Sequence, residues 1–421
     1  MMLRRLMWAG LAVAGVAGIC VLAFASFNLL NGKTGGPVQV VNASADVVAR
    51  GKYLAEAADC AACHTAPGGA PFAGGLAMQS GFGVIYTTNI TPDPEHGIGR
   101  WTSDDFWRSM HDGVRRDGSQ LYPAMPYTSY RGMTRNDADA VYAYLMHLRP
   151  MNVANRNSEL AFPFDIRLGM RFWNVVFLTD SIPAASIGNS ADWQRGRYVV
   201  NVLGHCGECH TPRGVVGEMQ LSRPLSGFAL GRVAAPDITP AGLASRGWTA
   251  EALSGFLDQG LSPQGSAFSD MHPVVMLSTR HLTPTDLHAA VTFLLGDTPP
   301  AVMGLAGRVA PDAERTGYLA LCAGCHGADG HGIPNTVVGL RENTTVRLRD
   351  PRNLIVSILD GISAQNFPNL QSMQAMPGFA DMLDDEQAAR LVNYLRVTWG
   401  GQENGVTAAT VHSFRLGMAR P

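Results

Sequence analysis

Six of the seven cysteines in this 421-residue chain fall in three copies of one pattern: Cys60-Ala61-Ala62-Cys63-His64, Cys206-Gly207-Glu208-Cys209-His210 and Cys322-Ala323-Gly324-Cys325-His326. Two thiols separated by two residues match the two vinyl groups of a porphyrin, to which they add as thioethers. A histidine directly after the second thiol is then carried beneath the iron as an axial ligand. A zinc site would need paired motifs brought together and has no use for a histidine at that fixed place. One such match by chance has a probability on the order of a few in a thousand. Three matches that consume six cysteines therefore read as three covalently bound haem c groups. Cys60, Cys63, Cys206, Cys209, Cys322 and Cys325 are the predicted attachment points, and His64, His210 and His326 the predicted iron ligands. No pair of cysteines is left for a disulfide framework.

The opposite face of each iron needs a sixth ligand, and a methionine there raises the potential and closes the iron to outside ligands. The repeats choose among 18 methionines: Met125 lies 61 residues after His64, and Met271 lies 61 residues after His210. In the third copy the best candidate is Met376, 50 residues after His326, whose Ala375-Met376-Pro377 matches Ala124-Met125-Pro126. Met276 competes in the second copy, Met373 and Met382 in the third. No nucleophile, acid–base constellation or phosphate loop stands beside these residues, so no catalytic residue is assigned.

Repeated elements surround the motifs and must position them. A short helical segment leads into each: Arg50 to Leu54, Arg195 to Val199 and Arg315 to Leu319. Downstream, Asn89-Ile90-Thr91-Pro92 matches Asp237-Ile238-Thr239-Pro240, and Gly99-Arg100-Trp101-Thr102 matches Arg246-Gly247-Trp248-Thr249. Helical stretches follow at Ser103 to Gly113 and Ala250 to Gly260, and closing helices at Arg135 to Leu148, Thr283 to Leu295 and Asp384 to Val397. Asp137, Asp286 and Asp385 sit early in the closing helices, where a carboxylate suits the positive end of the dipole. Trp101 and Trp248 read equally as haem-edge or core residues, and His205 as a surface or packing residue. Strand signals are few. The pattern predicts a mainly α fold of three tandem small helical haem domains.

Composition narrows the setting. Hydrophobic content of 46% suffices for folded cores, and a net charge of −2 gives no reason to invoke nucleic acid. Lysine occurs only at Lys33 and Lys52, so a ring of lysines for brief docking on many partners cannot exist, which favours a fixed partner. Leu6 to Leu30 is an apolar run of 25 residues behind Arg4 and Arg5. As a helix it rises about 37 Å, enough for a hydrocarbon core of roughly 30 Å. The basic flank stays in the cytoplasm and everything after residue 31 is exported. A retained anchor and a signal peptide cut after Ala23-Phe24-Ala25 are both compatible with the run; its length favours the anchor. Cys20 within it reads as a buried apolar residue. Arg156 to Asp180 is too apolar for a solvated linker and predicts burial between two haem domains, with a face toward a partner subunit or lipid as the alternative. The expected division is 1–32 transmembrane helix or signal-anchor, 45–150 first domain, 151–190 apolar inter-domain segment, 191–298 second domain, 305–400 third domain and 401–421 C-terminal tail.

Ala57 to Gly69 (AADCAACHTAPGG), Thr88 to Asp93, Leu121 to Tyr127 (LYPAMPY), Cys206 to Pro212, Cys322 to Gly330 and the stretch from Phe162 to Asn174 resemble the cytochrome c subunits of bacterial membrane-bound dehydrogenases for alcohol, aldehyde, gluconate, sorbitol and fructose. The resemblance covers nearly the whole chain after residue 45. It implies three tandem cytochrome c domains at the periplasmic face of the inner membrane. It also implies a catalytic dehydrogenase subunit as partner (a quinoprotein, flavoprotein or molybdoprotein), a third small subunit, and ubiquinone as acceptor. The expected role is electron transfer from that partner, with alcohol or aldehyde as favoured substrate, to membrane ubiquinone. The short link after Leu30 places the first or second haem toward quinone. The competing readings are a multihaem peroxidase or reductase with an open haem site, and a tethered carrier feeding a terminal oxidase.

Overall fold

A computed structural model describes residues 36–303 and 312–417. The predicted membrane helix at 1–32 lies outside the described residues; among those described, no helix is long and apolar enough to cross a membrane. The chain forms two compact units, one of residues 36–54 and 63–180, the other of 55–62, 181–303 and 312–417. Both are mainly helical, with strands confined to short antiparallel pairings.

α1 (Ala45–Ala57) begins in the first unit and α2 (Cys60–His64) ends in it, residues 55–62 belonging to the second, and in the first unit a hairpin of Ala77–Ser80 with Gly83–Tyr86 follows. Thr102 caps α3 (Ser103–Asp112) in a capping box with Asp105, and Gly113 ends it at φ 64°. α4 (Tyr127–Tyr130) and α5 (Arg135–Met146) complete the core, where Tyr127, Val141 and Leu145 are buried. Arg50 Nε donates to Asp137 Oδ1 at 3.2 Å. Gly51 lies so close to α5 that a Cβ would stand 1.9 Å from the Ala140 carbonyl oxygen.

The segment expected to bury between domains does not. α6 (Gly169–Phe177) has no buried residue, and Phe162 (79%), Phe172 (62%) and Val175 (84%) are exposed. Its polar groups hold it down: Arg167 donates to the Gln120 carbonyl at 2.9 Å, Arg171 to the Gly118 carbonyl at 3.1 Å, and Tyr127 to Asn174 Oδ1 at 2.8 Å. With the polar side engaged by this loop, the apolar side has only the outside to face.

The second unit repeats the same devices. α7 (Ala191–Tyr198) runs through a π turn at Val199–Leu203 into α8 (Gly207–His210). α9 (Pro240–Ser245), α10 (Ala250–Gln259, ended by Gly260 at φ 77°), α11 (Met271–Leu277) and α12 (Pro284–Leu295) follow. Arg195 clasps Asp286 with two bonds of 2.7 and 2.6 Å, and a Cβ on Gly196 would lie 1.9 Å from the Ala289 carbonyl oxygen. The aspartates early in α5 and α12 are thus arginine partners across a helix crossing as well as favourable charges at a helix end. Trp193, Leu243, Trp248 and Phe293 anchor this core.

A further core in the same unit gathers Tyr318, Cys322, Ile355, Val392 and Val411 from α13 (Asp312–Leu321), α14 (Ala323–His326), α15 (Thr344–Arg347), α16 (Arg352–Asp360), α17 (Asp385–Thr398) and α18 (Ala408–Arg415). Here the pattern changes. A Cβ on Gly317 would meet nothing within 4 Å, and Asp385 bonds Arg415 and His412 of α18 instead. Asn353 joins the two cores, accepting from Ala234 N at 2.7 Å and donating to Ala234 O at 2.8 Å. Trp248 donates its indole N–H to Thr344 Oγ1 at 3.0 Å, so this tryptophan is a core residue with its polar atom already engaged.

Candidate haem-binding sites

Each of the three histidines is held in the same way. His64 Nδ1 meets the Thr88 carbonyl at 2.6 Å, His210 Nδ1 the Pro236 carbonyl at 2.6 Å, and His326 Nδ1 the Val338 carbonyl at 3.0 Å. A carbonyl can only accept, so Nδ1 carries the proton in all three and Nε2 keeps its lone pair. Burial lowers the pKa of each imidazole, which keeps the ring neutral. A neutral ring oriented through Nδ1, with the Nε2 lone pair available, is what an axial iron ligand needs.

The backbone beneath each ring repeats as well. The carbonyls of His64, His210 and His326 accept from the N–H groups of Gly74 (2.7 Å), Gly227 (2.7 Å) and Gly332 (2.9 Å). These glycines have φ of 73°, 85° and 72°. A Cβ there would lie 2.4 Å from Thr88 C, 2.7 Å from Asp237 N and 2.5 Å from Val337 O, against the very loops that supply the acceptor carbonyls. Only glycine allows both the left-handed turn and the close approach. In the first two sites Thr65 and Thr211 Oγ1 also accept from Phe72 N and Leu225 N, each at 3.1 Å. The matched Asn89 and Asp237 then fold their loops, each accepting from the N and Oγ1 of the threonine two residues on.

The matched repeat picks out Thr91 and Thr239 but not the glycines, Thr65, Thr211 or the carbonyls. The sign was present: Pro71-Phe72-Ala73-Gly74 matches Pro224-Leu225-Ser226-Gly227, and a threonine follows both histidines. The third site lacks both features, and its loop returns after 12 residues instead of 24 or 26.

The six cysteines of the motifs form no disulfide among the described residues. Burial pushes Cys206 up to about 12 and Cys209 and Cys322 up to about 11, so these are neutral thiols. The turn into two motifs is strained: Asp59, before Cys60, and His205, before Cys206, have φ of 53° and 36° without being glycine. Asp59 is buried with Oδ1 unpaired, and burial raises its carboxyl to about 8. His205 is half-buried.

Met271 packs against the Trp193 core together with Cys206, whereas Met276 is not part of it. Met376 packs against the core containing Cys322; its N–H and carbonyl pair with Ile362 at 2.8 and 2.9 Å. Met382 is 65% exposed, and Met373 packs instead on the small cluster of Ala267, Val275 and Phe367. Met125 is half-buried in the turn before α4, beside the fully buried Tyr127. The residues present therefore fit the group their sequence implies: thiols on one helical turn, a neutral imidazole and a thioether.

The cytochrome c family profile matches residues 48–149 and 315–399. The chain is 35% identical over 425 residues to the cytochrome c subunit of the quinone alcohol dehydrogenase of Komagataeibacter europaeus, spanning 93% of this chain and 88% of that protein. It is 36% identical over 399 residues to the gluconate 2-dehydrogenase cytochrome c subunit of Pantoea cypripedii (88% and 89% covered). It is 34% identical over 305 residues to a diheme cytochrome c-type protein of Cereibacter sphaeroides (69% and 98% covered).

Proposed function

The chain belongs to the cytochrome c family, and on that premise we propose that it is the electron-transfer subunit of a membrane-bound dehydrogenase, with a haem at each of its three motifs. The observation that carries this reading is the threefold imidazole lock, because a structural histidine has no need of the same tautomer, carbonyl and left-handed glycine three times over. A c-type haem supplies a one-electron ferric/ferrous couple when bound.

The chain's own residues do the rest. Cys60 and Cys63, Cys206 and Cys209, and Cys322 and Cys325 would hold the group covalently. His64, His210 and His326 offer Nε2. Met125, Met271 and Met376 would each supply a thioether, which would favour the reduced state of a bound haem and close it to outside ligands. Such sites carry electrons and do not perform chemistry on an organic substrate. The partner is read as a dehydrogenase oxidising an alcohol or aldehyde, supported by the relative from Komagataeibacter. The acceptor is read as ubiquinone, with the apolar run at 6–30 holding the protein at the periplasmic face of the inner membrane.

Two measurements test this. Tryptic mass mapping is expected to find haem mass on all three Cys-x-x-Cys-His peptides; its absence from one removes that site. Gentle detergent extraction followed by mass spectrometry is expected to recover a large dehydrogenase subunit with the cytochrome. A lone cytochrome, or one bound to an oxidase, overturns the assigned role.

A further inference from the structure

Gly113 and Gly260 end the matching helices α3 and α10 in the left-handed region, at φ 64° and 77°. A Cβ on either would strike an aromatic ring: at Gly113 it would lie 2.8 Å from Tyr127 Cε1, and at Gly260 2.7 Å from Phe367 Cδ1. Tyr127 is fully buried and stands two residues after Met125 in its own repeat. Two residues after Met271 the chain has Pro273, which carries no aromatic ring. The ring against Gly260 comes instead from the third repeat, where Phe367 sits in the turn between the paired strands Gln365–Asn366 and Ser372–Met373.

The socket that receives this ring belongs to the second repeat. Phe367 is buried with Ala267 and Val275, and Phe256, Leu261 and Met271 pack on the same cluster. His272, next to Met271, meets the ring edge-on with centroids 5.2 Å apart, and its Nε2 donates to the Asn366 carbonyl at 3.1 Å. Each aromatic is thus moored by one hydrogen bond. Tyr127 uses its own hydroxyl, to Asn174 Oδ1, and beside Phe367 the bond is made by His272. Methionine has three rotatable bonds, so packing must fix where its sulfur stands. Met271 meets the Trp193 core with Cys206, and it also meets the cluster that Phe367 fills.

We propose that Phe367 is a positioning residue for Met271: it takes the place in the second site that Tyr127 holds in the first, so that a side chain of the third repeat keeps the thioether on the second iron. The inference rests on the reading of a haem at Cys206–His210 with Met271 as its sixth ligand. Its consequence is that the second site is complete only when the third repeat is folded against it.

The test is a carbon monoxide titration and a spectroscopic redox titration of the haem-loaded full chain. Phe367→Ala is expected to let carbon monoxide bind one haem of the three. It should also lower that haem's midpoint by at least tenfold in the ferric/ferrous equilibrium, about 59 mV for one electron. Phe367→Leu removes the ring but keeps most of the volume, and should do the same in smaller measure, so the test stands if the alanine variant does not fold. The affected haem should be the one that Met271→Leu opens, and adding Phe367→Leu to Met271→Leu should change nothing further. A merely structural role for Phe367 would lower the urea midpoint and leave all three irons closed. Asn353→Ala, which loosens the contact between the two cores at another place, should leave carbon monoxide binding as in the wild type. Three closed haems in every Phe367 variant that folds, opening of a haem other than the one Met271→Leu opens, or the same opening in Asn353→Ala overturns the proposal. A Cys206–His210 peptide without haem mass, or a haem opened by Met276→Leu and not by Met271→Leu, overturns the underlying reading as well. Mass mapping and the two methionine variants separate that failure from the others.

Discussion

The same substitution should have opposite signs at two equivalent places. Gly196 and Gly317 occupy matching positions in the helices that lead into the second and third motifs. At Gly196 a methyl group would sit 1.9 Å from the Ala289 carbonyl oxygen, 2.6 Å from its carbon and 2.7 Å from Phe293 Cβ. Ordinary contact needs well over 3 Å, so α7 and α12 must separate by more than 1 Å along a seam that buries Trp193, Val200, Ala290 and Phe293. Overpacking of this kind costs about 1–3 kcal/mol or more. Separation also stretches the two-bond Arg195–Asp286 clasp. The helix-propensity gain of alanine over glycine, about 1 kcal/mol, does not offset this. Gly196→Ala should therefore lose about 3 kcal/mol. Gly317 is exposed and helical, and its Cβ position is clear of neighbours within 4 Å, so Gly317→Ala should keep the propensity gain of about 0.5–1 kcal/mol. Urea unfolding of the haem-loaded protein, followed by tryptophan fluorescence and by haem absorbance, measures both. Gly196→Ala unfolding at or above the wild-type midpoint would refute the close-crossing account.

Other outcomes follow from the site geometry. Met271→Leu should let carbon monoxide bind to one haem and lower its potential, while Met276→Leu should do neither; the reverse result exchanges their roles. Asp59 is protonated in the folded chain up to about pH 8 but ionises above about pH 4 when unfolded, so the wild type should lose stability as pH rises between these values. Asp59→Asn should lack that slope, and parallel urea midpoints against pH for the two proteins would contradict the buried acid. Asn353→Ala removes both bonds to Ala234 and should cost about 1–3 kcal/mol. That loss should appear as separate unfolding of the two cores in calorimetry; a single undivided transition at the wild-type temperature would show that the link is dispensable.

Much of the local structure was legible because each signal is local. Thr102, Thr134, Thr249, Thr283 and Asp384 announce helix starts, and the capped ends at Gly113 and Gly260 fall where the pattern put them. The histidine locks were half visible. Asn89-Ile90-Thr91-Pro92 and its counterpart stood out as a repeat, but the working atom is the carbonyl one residue earlier, and a carbonyl has no residue type to read. Arg246 showed the same limitation, since its place in the Arg-Gly-Trp-Thr match says nothing of Arg347, which arrives from 101 residues away. The Arg156–Asp180 segment misled for a different reason: its hydrophobic content was plain, but the direction it faces depends on which of its polar groups find acceptors in the loop at 118–120.

The three imidazole locks enclose unequal lengths of chain, and this bears on the order in which the protein assembles itself. The pentapeptides are complete in any extended chain, so thioether formation can precede folding. The carbonyl that fixes each ring must instead be fetched from 24, 26 or 12 residues away. Loop closure favours the shortest by roughly 0.6 kcal/mol for each halving. The ring of His326 should therefore be the first to find its orientation, giving the chain a seed near its C-terminal end while the two longer loops are still closing.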